Sequence, residues 1–174
     1  MFNNYSLFLA ACCLLLVSCN KPTPTGVIYS SSAKTEETEP LIIRNIKNVE
    51  LENEDIELFL KRYQWKMKQT NTGLRYEITK NGVGKNIKKG EIITVEYHIF
   101  LLNGKEVYNS KNNGLKRFAV EKSEEMAGLH EAVQQMNRGT EARLIIPSHL
   151  AYGASGDGNR IAPWQTLIMK IKVM

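Results

Sequence analysis

Several side chains of this sequence could perform covalent or metal chemistry, but their spacing does not favour it. Ser148 and His149 are a nucleophile and a base in type, yet they are adjacent and no acid is placed to orient the histidine. The histidines, at 98, 130 and 149, lack metal-ligand spacing. The glycine-rich run 153–158 contains no lysine and leads toward a strand, which argues against a phosphate-binding loop. We therefore predict neither a metal nor a cofactor.

The elements that would position a site begin near Leu74, where the pattern becomes strand-like. Apolar and polar residues alternate over 93–101, so Tyr97 shares the buried face with aliphatic neighbours. The same alternation occurs at 144–146 and at 167–173. Asn-Gly turn signals separate the strands, and Ser123 is predicted to cap a short helix that runs to about residue 135. Four or five antiparallel strands with one helix laid across them predict an α+β fold.

Upstream, the sequence predicts another helix from about Glu54 to Lys68 with Asn53 as its N-cap. The apolar face of this helix must pack on another element, and it consists of Ile56, Phe59, Leu60, Tyr63 and Met67. Leu58 and Trp65 form a second, narrow stripe on the opposite side. Either the helix packs against its own domain on both sides, or Trp65 marks a contact with a partner or a second copy.

The N-terminus is typical of an export signal. Residues 7–17 are apolar without interruption, too short to span a bilayer but suited to a secretory signal. The segment Leu16-Val17-Ser18-Cys19 resembles the lipobox of bacterial lipoproteins, and this resemblance implies acylation of Cys19. The other two cysteines lie inside the signal, so no intramolecular disulfide is expected in the mature chain.

The mature chain is therefore predicted to be anchored to a membrane through Cys19 rather than to span it. The absence of Asp from residues 20–22 resembles sorting to the outer membrane, facing the periplasm of a Gram-negative-type bacterium. The chain carries a net charge of +5, but its 23 basic residues are interleaved with 18 acidic ones. This pattern predicts a solvated surface and no nucleic-acid partner.

Four segments follow from these patterns. We expect a signal peptide at 1–18, a flexible tether at 19–40, an N-terminal helical segment at 41–71 and a folded domain at 72–174.

The folded domain carries an ordered set of motifs. They include Tyr97 in the early strand, the turn at 103–105, the helix Gly128 to Met136, the run Ala151 to Gly156, and Ile161-Ala162-Pro163. In this order the segment from 72 to 174 resembles the FK506-binding-protein (FKBP) family of peptidyl-prolyl cis-trans isomerases. The resemblance implies an antiparallel sheet wrapped around one short helix, here with an extra N-terminal helix. It also implies proline-containing polypeptides as clients.

The implied reaction requires no covalent catalyst. Rotation about an X-Pro bond meets a resonance barrier of ~18–20 kcal/mol, and a cleft that binds the twisted imide selectively lowers it. By resemblance, Tyr97 is a wall aromatic, the hydroxyl of Tyr152 binds the substrate carbonyl, and the backbone N–H of Ile161 does likewise. Five further residues are expected to line the pocket: Val107, Tyr108, Met126, Leu129 and Met169.

The pocket positions depart from the family pattern in several places. Leu129 stands where a tryptophan is usual, and Val107, Lys116 and Met169 stand where phenylalanines are usual. Tyr108 replaces an aspartate and Asp157 replaces a loop histidine. Loss of these aromatic rings predicts an apolar but wider and softer cleft.

Two functions are compatible with these features. The first is a lipid-anchored prolyl isomerase that assists the folding of exported or envelope proteins, with reduced activity as one outcome. The second is a non-catalytic lipoprotein that acts as a chaperone or scaffold of a secretion or gliding-motility machine. The second is suggested by a resemblance to gliding-motility-associated FKBP-type lipoproteins. Fold alone does not choose between them.

Overall fold

The computed structural model describes the backbone of residues 32–174 and the side chains of residues 41–174. The predicted signal peptide, Cys19 and the first part of the tether lie outside the described residues. Within the described part of the chain, no helix combines the length and hydropathy needed to cross a membrane.

One antiparallel sheet of seven strands organises the domain. In chain order the strands are β1 (Lys68–Gln69), β2 (Arg75–Lys80), β3 (Ile92–Leu101), β4 (Glu106–Asn109), β5 (Lys116–Ala119), β6 (Glu141–Ile146) and β7 (Leu167–Val173). Their spatial order is β1-β2-β6-β7-β3-β4, and β5 also pairs with β3. The predicted α+β fold is confirmed, with seven strands instead of four or five.

The long strand β3 pairs with β7 along one edge and with two short strands along the other. Its C-terminal half pairs with β4 and its N-terminal half with β5. The single turn of helix α2 (Ser110–Asn113) separates β4 from β5. This break opens the sheet edge beside Tyr97, because no strand pairs with β3 there on that side.

Helix α3 (Ala127–Val133) packs on the inner face of the sheet. A Cβ at Gly128 would lie 2.5 Å from the Ile146 side chain, so only glycine permits this close approach. The predicted start of this helix at Ser123 is wrong. The Ser123 hydroxyl instead bonds the backbone of Ala119, which closes the turn between β5 and α3.

Helix α1 (Ser32–Tyr63) covers part of the outer face of the sheet and is much longer than predicted. Asn53, expected as its N-cap, lies inside the helix, where its side-chain oxygen accepts a hydrogen bond from Arg75 at 2.5 Å. The helix extends upstream of Asn53 and continues through Pro40 to Ser32. Below it, Ile56 packs with Ile145 and Ile168 from the sheet.

Trp65 lies two residues beyond the end of α1, so the predicted second stripe does not exist on the helix. Its indole ring is half-buried on the outer face of the sheet. It contacts Phe59 edge-on at 5.3 Å, and the Arg143 guanidinium lies 4.2 Å above it. Leu58, the other member of the stripe, is exposed. Trp65 therefore packs against its own domain. Because part of its ring is exposed, a contact with a partner stays a prediction.

Candidate functional site

Three tyrosines from separate parts of the chain meet at a small cavity on the open edge of β3. Its volume is about 210 Å³, below the roughly 300–1,000 Å³ of sites for drug-sized ligands, so it suits a single ring or side chain. The cavity is lined by Tyr97, Ile99, Tyr108, Asn113, Lys116, Tyr152 and Asp157. We take it as the candidate site because the sequence-predicted residues Tyr97, Tyr108 and Tyr152 meet there.

Three larger grooves of the described residues lie beside helix α1. The first, of about 560 Å³, runs along Leu60 and Trp65. The second, of about 400 Å³, runs along Leu51 and Trp164, and the third, of about 340 Å³, runs along Val49. None of the three is lined by a sequence-predicted site residue.

The strand β3 and the loop after β6 present Tyr97 and Tyr152 to the cavity. Tyr97 follows Ile93 and Val95 on the buried face of β3, as the alternation predicts. Neither phenol hydroxyl hydrogen-bonds to another described residue. Burial, with the nearby carboxylates of Glu125 and Asp157, raises the pKa of Tyr152 to about 12. Tyr152 therefore stays protonated at neutral pH and can donate a hydrogen bond.

Tyr108 and Asp157, two departures from the family pattern, bond each other across the cavity. The Tyr108 hydroxyl donates to Asp157 Oδ2 at 2.5 Å, a charge-assisted contact. This hydrogen bond and, secondarily, burial raise the pKa of Tyr108. Burial of Asp157 opposes its ionisation, but hydrogen bonds from Tyr108 and from backbone N–H groups outweigh it and lower the pKa of the carboxyl. The carboxylate is ionised and the phenol is neutral.

The predicted role of Ile161 as a free hydrogen-bond donor is wrong in this structure. Its backbone N–H donates to Asp157 Oδ1 at 2.8 Å, and Asn159 N–H donates to the same oxygen at 2.9 Å. The turn also requires Gly156, where a Cβ would collide with the Ile161 carbonyl oxygen and where φ is +66°. Asp157 therefore occupies the donor that the resemblance reserved for substrate.

Two basic side chains, Lys116 and Arg160, lie at the rim of the cavity. Lys116 Nζ lies 2.7 Å from Glu125 Oε1 and 5.4 Å from the centre of the Tyr97 ring. On the other side, Arg160 lies over the Tyr108 ring at 5.3 Å and donates to the Val107 carbonyl oxygen at 2.9 Å. Lys116 and Glu125 neutralise each other, whereas Arg160 meets a ring and a carbonyl oxygen. The hydroxyls of Tyr97 and Tyr152, which bond no described residue, remain as donors among the lining side chains, together with the Asn113 amide.

Four of the predicted pocket residues are core residues that do not line the cavity. They are Val107, Met126, Leu129 and Met169, each at most 5% exposed. Because Leu129 and Met169 pack into the apolar core, their substitution for aromatic residues does not widen the cleft. The expected wide, apolar cleft is therefore not found, and the cavity is small with a partly polar lining.

Sequence reasoning missed the polar framework of this cavity. The sequence shows Tyr108 and Asp157 as two unrelated departures, 49 residues apart, and only the fold brings them into contact. It also missed the backbone N–H of Met126, which makes no hydrogen bond within the described residues. Met126 follows Glu125 directly at the rim, so this amide is a second candidate donor.

The other residues that could have performed chemistry, one serine and two histidines, make structural hydrogen bonds instead. Ser148 donates its hydroxyl to Glu52, and His149 contacts the carbonyl oxygen of Thr72, so the two do not form a nucleophile-base pair. His130 is buried and holds the turn at residues 121–123. Among the described residues no cluster of His, Cys, Asp or Glu could hold a metal ion.

The model of the FKBP-type peptidyl-prolyl cis-trans isomerase family matches residues 84–174, more than half of the chain. The chain belongs to this family. An FKBP-type isomerase of Neisseria meningitidis serogroup B, named as probable FkpA, is 41% identical over 121 residues, which cover 68% of this chain and 44% of the relative. The outer membrane protein MIP of Legionella longbeachae is 35% identical over 103 residues, covering 59% of this chain and 44% of that protein. The chain thus matches less than half the length of these curated relatives.

Solved structures confirm the FKBP-like fold. The crystal structure of FkpA from Escherichia coli matches with a TM-score of 0.62 at 27% identity, covering 83% of this chain and 72% of that one. A prolyl isomerase from Pseudomonas syringae matches with a TM-score of 0.60 at 27% identity, over 72% of this chain and 92% of that one. The antiparallel sheet with its short inner helix and an N-terminal helix is therefore the FKBP-type arrangement that the sequence predicted.

Proposed function

We propose that this chain catalyses cis-trans isomerisation of X-Pro bonds in exported or envelope polypeptides. The observation that supports this most directly is the meeting of Tyr97 and Tyr152 at a ring-sized cavity in an FKBP-type domain, where neither hydroxyl bonds a described residue. The prolyl ring would enter the cavity against Tyr97. The hydroxyl of Tyr152 would donate to the carbonyl oxygen of the substrate.

Selective binding of the twisted imide supplies the rate acceleration in this proposal. A planar amide carries charge separation that water stabilises, whereas the twisted amide carries less. In a cavity whose polar side chains already bond one another, the planar form loses more solvation than the twisted form. These bonds are the Lys116–Glu125 ion pair and the hydrogen bond from the neutral Tyr108 hydroxyl to the Asp157 carboxylate. No metal or cofactor enters this mechanism.

Replacement of Tyr152 by Phe tests the proposal. In a protease-coupled assay on a short prolyl peptide, Tyr152→Phe should lower kcat/KM about 3- to 10-fold, the value of one hydrogen bond. Tyr63→Phe, which removes an exposed hydroxyl on α1 far from the cavity, is the matched control and should leave the rate unchanged. A wild-type rate equal to the uncatalysed rate at micromolar protein would remove the enzyme proposal.

A binding function is the second candidate, and a specific surface favours it. Near its described start, α1 exposes five large apolar side chains, each more than 40% accessible: Leu41, Ile42, Ile43, Ile46 and Val49. Such a surface could hold an unfolded client or join a secretion or gliding-motility machine. A chaperone role predicts that Tyr97→Ala with Tyr152→Ala still suppresses client aggregation, whereas Ile43→Ser with Ile46→Ser does not.

The proposed location is the bacterial cell envelope, with the chain anchored through lipidated Cys19 to the outer membrane and facing the periplasm. Support comes from the lipobox-like Leu16-Val17-Ser18-Cys19 and from similarity to a relative named outer membrane protein MIP. Cys19→Ser should move the protein from the membrane fraction to the soluble fraction. Continued membrane association of that variant would contradict lipid anchoring.

A further inference from the structure

The segment 148–166, which lies between β6 and β7, carries two residues that line the cavity, Tyr152 and Asp157. We call it the site loop. It begins with a short 3-10 turn, Ser148–Leu150, and contains no further regular structure before β7. Both of its end residues are buried, Ser148 completely and Thr166 to 5% exposure. The position of Tyr152 therefore depends on how these two ends are held.

A single carboxylate from helix α1 binds both ends of the site loop. Glu52 Oε1 accepts the backbone N–H of Ser148 at 2.6 Å and the hydroxyl of Thr166 at 2.5 Å. Its second oxygen accepts the Ser148 hydroxyl at 2.9 Å. Hydrogen bonds to an ionised acceptor are stronger than neutral ones, so this contact fixes the distance between the two ends.

Backbone hydrogen bonds carry this constraint from Ser148 to Tyr152. The Ser148 carbonyl oxygen accepts the N–H groups of Ala151 at 3.0 Å and of Gly153 at 2.8 Å, the two neighbours of Tyr152. The Gly153 carbonyl oxygen then accepts the N–H of Trp164 at 2.9 Å, near the other end of the loop. Both neighbours of Tyr152 are thus hydrogen-bonded to Ser148, the residue that Glu52 binds.

A second anchor joins α1 to β2 through hydrogen bonds that include no residue of the site loop. Arg75 of β2, which is buried, bonds Glu57 at 2.7 Å and Asn53 at 2.5 Å on the same helix. This anchor attaches α1 to β2, where Arg75 stands opposite Ile145 of β6. Glu52 bonds the site loop itself, whereas Glu57 bonds the strand beside it.

We propose that Glu52 is a positioning residue for Tyr152, so that helix α1 sets the geometry of the isomerase site. This inference rests on the proposed function for its kinetic consequences. The hydroxyl of Tyr152 reaches the substrate only if the two ends of the site loop stay fixed. Any partner or ligand that moves α1 at Glu52 would then change catalysis without touching the cavity.

Three variants test this role, each checked first for folding by thermal unfolding. Glu52→Ala removes all three acceptor contacts and should lower kcat/KM about 3- to 10-fold, as far as loss of the Tyr152 hydrogen bond would. Glu52→Gln should retain activity, because its oxygen can accept from Ser148 N–H and Thr166 while its amide donates to the Ser148 hydroxyl. Glu57→Ala, the matched control, weakens the other anchor and should leave kcat/KM unchanged.

A double-mutant cycle distinguishes positioning from general damage. In a Tyr152→Phe background, Glu52→Ala should have no further effect on kcat/KM, because the hydroxyl that it positions is already absent. Full additivity of the two losses would overturn the proposal. So would an equal loss of kcat/KM in Glu57→Ala.

Amide hydrogen exchange tests the loop contact without any assay of activity. Exchange of the Gly153 and Trp164 amides should accelerate at least 10-fold in Glu52→Ala but not in Glu52→Gln or Glu57→Ala. Unchanged exchange in Glu52→Ala would overturn the positioning role even if the wild-type protein is an active isomerase. An inactive wild type with accelerated exchange would instead refute the proposed function and keep the structural link.

Discussion

The inner face of the sheet buries Leu129 and Met169 in one continuous apolar core. On the outer face, the fully buried apolar residues of the described part of the chain are Ile56, Ile145 and Ile168. The outer face compensates with directional polar contacts, made by Glu52 to the site loop and by Arg75 to the helix. Apolar burial is non-directional, whereas hydrogen bonds fix geometry. The inner face therefore supplies most of the stability, and the outer face supplies alignment.

The largest expected difference between the two faces is in the free energy of unfolding. Leu129→Ala should lower it by about 3–5 kcal/mol, because the side chain is fully buried and the close contact of α3 with β6 prevents collapse of the cavity. Ile56→Ala, the paired variant on the outer face, should cost about 2 kcal/mol, at the lower end for such substitutions, since its half-buried neighbours can relax.

Urea unfolding at equilibrium measures both values under the same conditions. An equal cost for the two substitutions would show that α1 contributes to a core as rigid as the inner one. The comparison would also fail if Ile56→Ala unfolded the whole domain.

A smaller effect on the free energy of unfolding is expected for a substitution at the cavity, and its size should depend on pH. The pKa of Asp157 is lowered in the folded state, so its stabilising contribution is present above the pKa of the unfolded chain. The contribution is lost as the pH falls through the folded value. Asp157→Asn should therefore lower the free energy of unfolding by about 1–3 kcal/mol at pH 7.

The difference between wild type and Asp157→Asn should shrink as the pH is lowered from about 5 to below 4, where the carboxylate becomes protonated. Urea unfolding across this pH range measures it. A difference that stays constant with pH would mean that the charge of Asp157 does not contribute to the Tyr108 and Ile161 contacts.

The strands of the inner face could be predicted because their pattern is local. Alternation placed Tyr97 on the buried face of β3 and fixed the last strand, and both were confirmed. Burial on the outer face of the same strands was harder to predict. Ile145 and Ile168 are buried against α1, on the face that simple alternation assigns to solvent. Their burial follows from the docking of a distant helix, which no local period reveals.

The candidate site was predicted in part for the same reason. Motifs in the sequence identify Tyr97 and Tyr152. The roles expected for Leu129 and Ile161 came from the family resemblance, which does not account for the residues around them in this chain. Leu129 packs into the core, and Asp157 occupies the Ile161 N–H. Such changes depend on pairs of residues far apart in the chain. The start of α1 was also missed, because the helix continues through Pro40, a residue type that usually ends or kinks a helix.

The smallest expected effect concerns the charged contact at Trp65 on the outer face. Arg143→Met should change the free energy of unfolding by less than about 1 kcal/mol, because three small contributions offset each other. The variant loses the stacking on Trp65 and the ion pair with Glu77, but it also removes a buried Nε atom with no hydrogen-bond partner among the described residues. Trp65 fluorescence should shift, and a Trp164→Phe background isolates that signal. A loss above about 2 kcal/mol would show that charge, and not only alignment, stabilises the outer face.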